Sequence, residues 1–280
     1  MTTIVHISDL HFGRHDPAAT QALAVDIAAI RPDVIVNSGD FTQRSRRRQW
    51  ALARDFVATL PAPQVCVPGN HDIPLFDVFR RILSPLGRFR SCITTEPYPV
   101  WTSAGAAIVG VCTARPIILN PLGFWKDGAL SDAQLAEIAA RLAPADPSAL
   151  RVVAAHHPLV PPRDEKPRHH LVWRVRQALD AFADCGVDVV LSGHLHLSYT
   201  DESLGHHSGT RRSILCIQAG TAISSRRRSR HPNAFNRILV HSRDHVGVEV
   251  REFDGGAFVA RRTTDWQRVN GIWRMSGSRD

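Results

Sequence analysis

Short apolar runs alternate with segments of helical period over the first two-thirds of the chain. Apolar runs of this length indicate buried strands, and apolar residues three or four apart indicate helices with one buried face. The first three pairs of strand and helix are predicted at 4–8 and 18–30, at 34–36 and 47–60, and at 65–67 and 77–83. Alternation of this kind is typical of βαβ units, in which parallel strands lie side by side.

The middle of the chain continues the same alternation. Ser131 is a suitable N-cap for a helix over Gln134 to Leu142, because its hydroxyl can accept a hydrogen bond from a free backbone N–H. Strands are predicted at Val152 to Ala155 and Val187 to Leu191, with the helical segment Leu171 to Ala183 between them. The first 190 residues therefore predict an α/β fold.

After residue 193 the pattern changes to strand-like runs separated by turn residues. These runs lie at 214–218, 235–241, 246–253 and 257–262. They predict an antiparallel C-terminal third. A chain of 280 residues commonly forms one domain, so we expect a single domain over residues 1–273 and a flexible tail over 274–280.

The composition is that of a soluble globular protein. Hydrophobic residues make up 44% and charged residues 21%, close to the averages that argue against both disorder and membrane spanning. The N-terminus shows no signal-peptide pattern, and the five cysteines form no C-x-x-C pair. We therefore expect a cytoplasmic protein with reduced thiols and no transmembrane segment.

The net charge of +8 comes almost entirely from arginine, since only Lys126 and Lys166 of the 34 basic residues are lysines. Arginine pairs bidentately with phosphate, so the charge permits an anionic substrate, although genomic base composition explains it equally well. The polar loops at 163–170 and 224–231 can form a rim beside a site or be merely solvated. No recognisable nucleic-acid-binding motif accompanies the charge, so the case for a nucleic-acid partner is weak.

Five short patches place Asp, Asn or His at the predicted carboxyl ends of strands, where open α/β sheets hold their ligands. A lone patch of this kind would more often be a hydrogen-bonded structural feature. Random placement rarely collects five on one edge. In chain order the patches are Asp9-Leu-His11, Gly39-Asp40, Gly69-Asn70-His71-Asp72, His156-His157-Pro158 and Gly193-His194-Leu-His196.

These residue types suit a pair of metal ions. Two cations held ~3.5–4 Å apart need a shared carboxylate between them and oxygen or imidazole ligands around them. Asp40 follows a predicted buried strand and is well placed to be that shared ligand. Asp9 and His11 are two residues apart, as are His194 and His196, so each pair either projects to one side of an extended segment or reaches two metals from a bent loop.

The ordered set D-x-H, G-D, G-N-H-D, H-H-P and G-H-x-H resembles the calcineurin-like metallophosphoesterases. Within that superfamily it resembles the bacterial phosphodiesterase branch, which includes cyclic-nucleotide and glycerophosphodiester hydrolases. The resemblance spans residues 4–200 and implies a four-layer sandwich of two mixed β-sheets flanked by helices. It also implies that a metal-bridging hydroxide hydrolyses a small anionic phosphodiester.

The resemblance assigns roles residue by residue. The implied ligands of two divalent or mixed-valence transition metals (Mn, Fe or Zn) are Asp9, His11 and His196 for the first, Asn70, His156 and His194 for the second, and Asp40 as the bridge. His71 would assist catalysis beside the phosphate, and Asp72 would orient its imidazole. His156 is preferred to His157 as the ligand, with a shift of one residue left open.

Departures from other branches narrow the resemblance. Ser/Thr protein phosphatases carry G-D-x-V-D-R-G, which residues 39–45 do not match. Purple acid phosphatases have a tyrosine where this chain has Gln43, and UDP-diacylglucosamine hydrolases typically read G-N-R-D where it has His71. The alternatives left open are a phosphomonoesterase or pyrophosphate hydrolase with the same site, a non-catalytic scaffold, and a homo-oligomeric assembly.

Overall fold

The computed structural model describes residues 1–117, 127–162, 171–226 and 231–279. The helices within these ranges are α1 (Pro17–Ile30), α2 (Arg47–Thr59), α3 (Val78–Leu83), α4 (Gly87–Cys92), α5 (Asp132–Leu142) and α6 (Val175–Asp184). The strands are β1 (Thr2–Ile7), β2 (Val34–Asn37), β3 (Gln64–Cys66), β4 (Val100–Thr102), β5 (Ala106–Gly110), β6 (Gly128–Ala129), β7 (Leu150–Ala154), β8 (Val172–Trp173), β9 (Val189–Ser192), β10 (Tyr199–Glu202), β11 (Leu215–Gln218), β12 (Ala234–Ser242), β13 (His245–Phe253), β14 (Phe258–Val269) and β15 (Ile272–Arg279).

Two large mixed sheets carry the fold. The seven-stranded sheet has the order β15-β14-β13-β12-β1-β2-β3, parallel over β1 to β3 and antiparallel from β1 outward to β15. The six-stranded sheet has the order β10-β11-β9-β7-β5-β4, with parallel inner strands and an antiparallel strand at each edge. A short parallel pair joins β6 to β8.

Three apolar clusters define four layers. One cluster combines buried residues of both large sheets, such as Ile4 and Val36 with Val152 and Leu191, and therefore fills the space between the sheets. The second packs α1 and α2 against the outer face of the seven-stranded sheet, and the third packs α5 and α6 against the outer face of the six-stranded sheet. The predicted sandwich of two mixed sheets flanked by helices is confirmed.

The C-terminal end corrects the sequence prediction. Residues 274–279, expected to be part of a flexible tail, belong to β15, which pairs with β14 through register partners such as Trp273 with Arg268. The run predicted to end at residue 262 continues as β14 to Val269. The expected antiparallel arrangement holds for β12 to β15, whereas β11 lies parallel to β9. A polar edge strand is stabilised by backbone pairing and does not need an apolar pattern.

Two further expectations concern membranes and cysteines. In the described ranges, no helix combines the length and the apolar character needed to cross a bilayer. All five cysteines are free. Cys66 and Cys216 are buried, while Cys112 is half-buried. Burial raises the pKa of Cys66 to about 12, so its thiol stays protonated at neutral pH.

Candidate active site

The five sequence patches meet at one edge of the sandwich, beyond the carboxyl ends of five strands. Asp9 and His11 follow β1, Asp40 follows β2, and Asn70 follows β3 in the seven-stranded sheet. From the six-stranded sheet, the residues that follow β7 and β9 are His156, His194 and His196. The structure thus brings all the predicted ligand side chains into one cluster, in which His194 and His196 are half-buried and the others are buried.

Backbone geometry at this cluster is unusual. Asp9, His11, Asp40, His194 and His196 have positive φ angles of 54°, 49°, 57°, 75° and 58°. Residues with a Cβ rarely adopt the left-handed region, which costs of order 1–3 kcal/mol where the surroundings impose it. Sharp bends at these positions turn the side chains away from the strands and toward one another.

Asp9, His11 and His196 form the first group. The Nε2 atoms of His11 and His196 lie 3.0 Å apart, and the Asp9 Oδ1 atom lies 3.1 Å from His196 Nε2 and 3.5 Å from His11 Nε2. The other Asp9 oxygen, Oδ2, accepts hydrogen bonds from the Ser8 hydroxyl and from the His194 backbone N–H. One carboxylate oxygen is therefore held in place while the other faces both imidazoles.

Asn70, His156 and His194 form the second group. Asn70 Oδ1 lies 3.2 Å from His156 Nε2, and the rings of His156 and His194 are 5.1 Å apart between centroids. On its far side, His156 Nδ1 lies 2.8 Å from the Ser38 carbonyl oxygen. A carbonyl can only accept, so Nδ1 carries the proton and Nε2 faces the group.

Asp40 lies between the two groups. Its Oδ2 atom is 3.3 Å from His156 Nε2 and 3.7 Å from His11 Nε2, so one carboxylate oxygen faces an imidazole from each group. Its Oδ1 atom accepts a hydrogen bond of 2.8 Å from the His71 backbone N–H. This position is the one that the sequence predicts for a ligand shared between two metals.

His157, which the sequence analysis placed second to His156, also reaches the cluster. Its ring lies 4.6 Å from the His194 ring, and one ring nitrogen from each of His156, His157 and His194 falls within a 4.8 Å group. The His157 Nδ1 atom lies 2.8 Å from the Thr113 hydroxyl. His156 contacts Asp40 and Asn70, whereas His157 contacts Thr113, so the two histidines differ in position although the H-H-P motif does not distinguish them.

The side chains of His71 and Asp72 make contacts with different parts of the protein. Residues 70–72 form a 3₁₀ turn. The His71 Nδ1 atom donates to the Gln43 carbonyl oxygen at 2.8 Å, and its ring meets the His11 ring edge-on at 4.9 Å. Gln43 therefore holds the imidazole at Nδ1, a backbone contact that no sequence motif reveals.

The Asp72 carboxylate instead fastens two loops together. It accepts hydrogen bonds from the backbone N–H groups of Phe41, Thr42 and Gly69, and from the Thr42 hydroxyl. These bonds join the loop after β2 to the loop after β3, because their donors come from both. Asp72 thus positions the loops that carry Asp40 and Asn70, and the role that the resemblance implies for it beside His71 stays a prediction.

Two glycines allow the loops to come this close. A Cβ at residue 69 would lie 2.7 Å from Asp40 Cγ, and a Cβ at residue 193 would lie 2.6 Å from Asp9 Oδ2. Neither contact is possible between real atoms without a shift of the carboxylate. Gly69 and Gly193 therefore precede ligand candidates because any side chain there would displace a neighbouring one.

The sequence profile of the calcineurin-like phosphoesterases matches residues 2–198, which contain the whole cluster. The chain belongs to that family. Residues 199–279, including β10 to β15, lie beyond the matched region. The expected family resemblance is confirmed, while the branch within the family is not decided by this match.

Curated relatives match this phosphoesterase only locally. The UDP-2,3-diacylglucosamine pyrophosphatase LpxG of Chlamydia muridarum is 35% identical over 72 residues, which are 25% of this chain and 22% of the relative. The LpxG protein of Chlamydia trachomatis is 36% identical over the same length and shares. The match thus spans about a fifth of those relatives.

Solved structures share the fold at low sequence identity. A purple acid phosphatase from yellow lupin, Lupinus luteus, has a TM-score of 0.63 and 13% identity, covering 92% of this chain and 52% of that one. A dimetal phosphatase from Danio rerio has a TM-score of 0.62 and 15% identity, covering 92% of this chain and 98% of that one. Both likenesses concern the sandwich architecture.

Burial and neighbouring charges shift the pKa values of the ionisable groups at this site in different directions. Burial alone would raise the pKa of Asp9 and of Asp40, but the surrounding histidines hold the pKa of each well below its usual range. Burial opposes protonation of His156 as well, yet Asp40 beside it raises the His156 pKa to about 9. Burial dominates at His11 and His194, where the pKa is lowered. Both carboxylates are therefore ionised, as metal ligands must be.

The donor set fits metal ions. Asp9 Oδ1 is buried and makes no hydrogen bond of good geometry among the described residues, even though His196 Nε2 lies 3.1 Å away. A buried carboxylate oxygen normally requires a partner. His156 and His196 both direct Nδ1 at a backbone carbonyl, that of Ser38 and that of Arg226, which turns Nε2 into the cluster. Metal-binding histidines commonly have this arrangement, because the carbonyl fixes the ring and its tautomer.

A cleft of about 170 Å³ opens beside Asn70 and His71. Its remaining lining residues are Gln43, Arg44, Ile73, Leu75 and Arg226. The arginines make the cleft cationic, and Ile73 and Leu75 give it an apolar part. The predicted rim at 163–170 lies outside the described residues, as do residues 227–230 of the second predicted loop.

Proposed function

We propose that this protein is a dinuclear-metal-dependent phosphoesterase whose preferred substrate is a small anionic phosphodiester. The observation that carries the proposal is the position of Asp40, whose Oδ2 atom faces His156 of one group and His11 of the other. A shared carboxylate between two sets of nitrogen and oxygen donors is the arrangement expected for two adjacent cations.

The residues that would hold the two ions are those of the two groups, with Asp40 common to both. Bound there, transition metals would lower the pKa of water from 15.7 to about 7 and withdraw charge from phosphoryl oxygens. The ligand types accept Mn, Fe or Zn.

The protein's own residues would position the ester and handle its proton. His71 lines the cleft and donates through Nδ1 to the Gln43 carbonyl oxygen, so Nε2 is the ring nitrogen that would act on the ester. In its protonated form His71 would donate from Nε2 to the leaving-group oxygen or hydrogen-bond a phosphoryl oxygen, as a general acid does. Arg44 and Arg226 flank the cleft and would pair with charged oxygens that do not react.

A pyrophosphate hydrolase is the second candidate, and one observation favours it. The curated relatives with local similarity are pyrophosphatases that act on UDP-2,3-diacylglucosamine. The chain has His71 where such hydrolases typically have arginine, which favours the diester instead. Both candidates use the same groups, so they differ in the leaving group that the cleft accepts.

The experiment that tests the proposal is a substrate comparison on the metal-reconstituted protein. Bis-aryl phosphate, aryl phosphate, cyclic nucleotides, glycerophosphodiesters and a UDP-sugar would be compared by kcat/KM, with Asp40→Ala as the matched inactive control. We expect a diester to have the highest kcat/KM. A higher value for the UDP-sugar would favour the second candidate, and activity equal to that of Asp40→Ala on every substrate would refute both.

A further inference from the structure

Among the helices in the described part of the chain, α3 differs in having no buried residue. Five large apolar side chains in and beside it are exposed, at 69% for Phe76, 58% for Val78, 82% for Phe79, 56% for Ile82 and 80% for Leu83. We call these residues the 76–83 patch. By contrast, α1 and α2 each bury three residues against the seven-stranded sheet. Contiguous exposed apolar residues of this kind mark interaction surfaces.

The patch is organised as one face. Phe79 and Leu83 are four residues apart in α3, which places both side chains on one side of the helix, and Phe76 directly precedes the N-cap residue Asp77. The segment is tied to its neighbours by polar contacts, because Asp77 pairs with Arg88 of α4 and Arg88 in turn donates to the Ser45 carbonyl. These contacts involve polar side chains only and leave the apolar side chains exposed.

Arginines lie beside the apolar face. Those in the segment or in contact with it are Arg44, Arg80, Arg81 and Arg88. Asp77 pairs with Arg80 at 3.2 Å and with Arg88 at 3.8 Å. Arg80 and Arg47 help to lower the pKa of Arg88, after the larger effect of its partial burial, so these cations lie close together. The surroundings of the patch are therefore strongly cationic.

The patch adjoins the catalytic cleft. Ile73 and Leu75 line the cleft, and the chain continues from them directly into Phe76. The Arg44 guanidinium, which also lines the cleft, stacks over the Phe76 ring at 5.2 Å from its centroid. A surface that covers the patch would consequently also lie at the mouth of the cleft.

We propose that the 76–83 patch docks on a lipid bilayer surface that carries anionic phospholipids. Exposed phenylalanine and leucine side chains beside arginines are the combination that inserts into the headgroup boundary and attracts anionic lipids. A second copy of this chain fits less well, because two such faces would bring like charges together. In relation to the proposed function, docking would present the cleft to phosphoesters held at the bilayer surface.

The test is cosedimentation of the purified protein with vesicles. Vesicles of phosphatidylcholine containing phosphatidylglycerol would be compared with phosphatidylcholine alone, for the native chain and for Phe79→Ser with Leu83→Ser. We expect binding to the anionic vesicles and a loss of at least about tenfold in the partition coefficient of the variant, because two apolar side chains are removed from the interface. Binding should also weaken as salt is raised.

Val25→Ser with Val269→Ser is the matched control, since Val25 and Val269 are exposed apolar residues outside the patch. Equal losses in both double variants, no binding by the native chain, or equal binding to neutral vesicles would overturn the proposal. So would a dimer, seen by sedimentation velocity, that the patch variant abolishes. Hydrolysis of a soluble diester is measured in parallel and should not change in the patch variant. If the native chain hydrolyses the diester but does not bind vesicles, the docking proposal is refuted and the proposed function is not.

Discussion

The two groups proposed to bind metal share Asp40 but differ in charge. The first group has a carboxylate of its own, Asp9, whereas the corresponding oxygen donor of the second group is the neutral amide of Asn70. A cation in the first group would therefore interact with two full negative charges in a buried environment, where Coulomb interactions are strong. We expect the first group to bind its metal more tightly than the second.

The second group has an additional imidazole close to it. His157 lies beside His156 and His194 and offers a third imidazole, and the Thr113 hydroxyl lies within hydrogen-bonding distance of its Nδ1. Neutral donors bind a cation less strongly and release it more readily. The comparison therefore predicts one tightly held ion and one that exchanges. The following experiments can refute or refine it, from the largest expected effect to the smallest.

Asp40→Ala removes the residue common to both groups. Since Asp40 is 3.3 Å from His156 and 3.7 Å from His11, we expect both metals and essentially all turnover to be lost. Elemental analysis of the purified variant, with kcat on a diester, is the measurement. If the variant retains as much metal as Asn70→Ala, Asp40 does not bridge the groups.

Asn70→Ala removes only a donor of the second group. We expect this variant to keep the first metal, because Asp9, His11 and Asp40 remain in place. It should lose the second metal, and its turnover should therefore be strongly reduced. Metal content should fall toward one ion per chain. Loss of both ions together would show that the two groups do not bind independently and would contradict the comparison.

His71→Ala tests chemistry outside both groups. Positioned acid or base groups usually contribute about 10²–10⁴-fold, so kcat should fall by that order with both metals retained. The loss should be larger for an alkyl diester than for a nitrophenyl diester, since nitrophenolate departs without protonation. A missing metal would make His71 a ligand. An equal loss on both substrates would limit His71 to stabilising the phosphate.

His157→Ala examines the extra imidazole of the second group. If His157 supports the group without binding metal, the affinity for the second ion should fall about 10–100-fold while the first is unaffected. A metal titration of the variant beside the native chain measures this. Failure to bind the second ion at any concentration would identify His157 as a ligand in its own right.

The smallest effect that we expect is on stability: removal of the metals should lower the free energy of unfolding. An ion present at about 100 times its Kd stabilises the folded chain by about 2.7 kcal/mol if it does not bind the unfolded chain. Denaturant unfolding with metal and after chelation measures the difference. Because the first ion should bind more tightly, low metal concentrations should give one stabilising step before the second. Superimposable unfolding curves would argue against a preformed site.

The strand ends and their ligands could be predicted because their signals are local. A β-branched run such as Val34 to Asn37 identifies a buried strand, and the next residues carry the chemistry. Strand β5 was not predicted, because its sequence Ala-Ala-Ile-Val-Gly is short and has weak strand propensity. Strand β15 was mistaken for a tail, since the sequence does not reveal that β14 offers it a pairing edge.

At the site, too, the contacts that the sequence does not predict are those that depend on tertiary structure. The residues of the metal-binding groups are visible as motifs, but the partner of His71 is the Gln43 carbonyl, which any residue type would supply. The role of Asp72 depends on where Phe41 and Thr42 place their N–H groups. The sequence predicts a helix at 77–83 but does not predict that its apolar side chains are exposed. Whether its apolar side meets the core is decided by tertiary packing.

The origin of the donors in both sheets has a consequence for folding. Asp9 and Asp40 stand on one sheet and His156 and His196 on the other, with 187 positions separating Asp9 from His196 in sequence. Contacts of such high sequence separation form late, after most of the loop-closure entropy has been lost. An ion held by this cluster would cross-link the two sheets. Subglobal opening that parts the sheets, as seen by hydrogen exchange, should thus be suppressed by metal, whereas fraying of β15 should not.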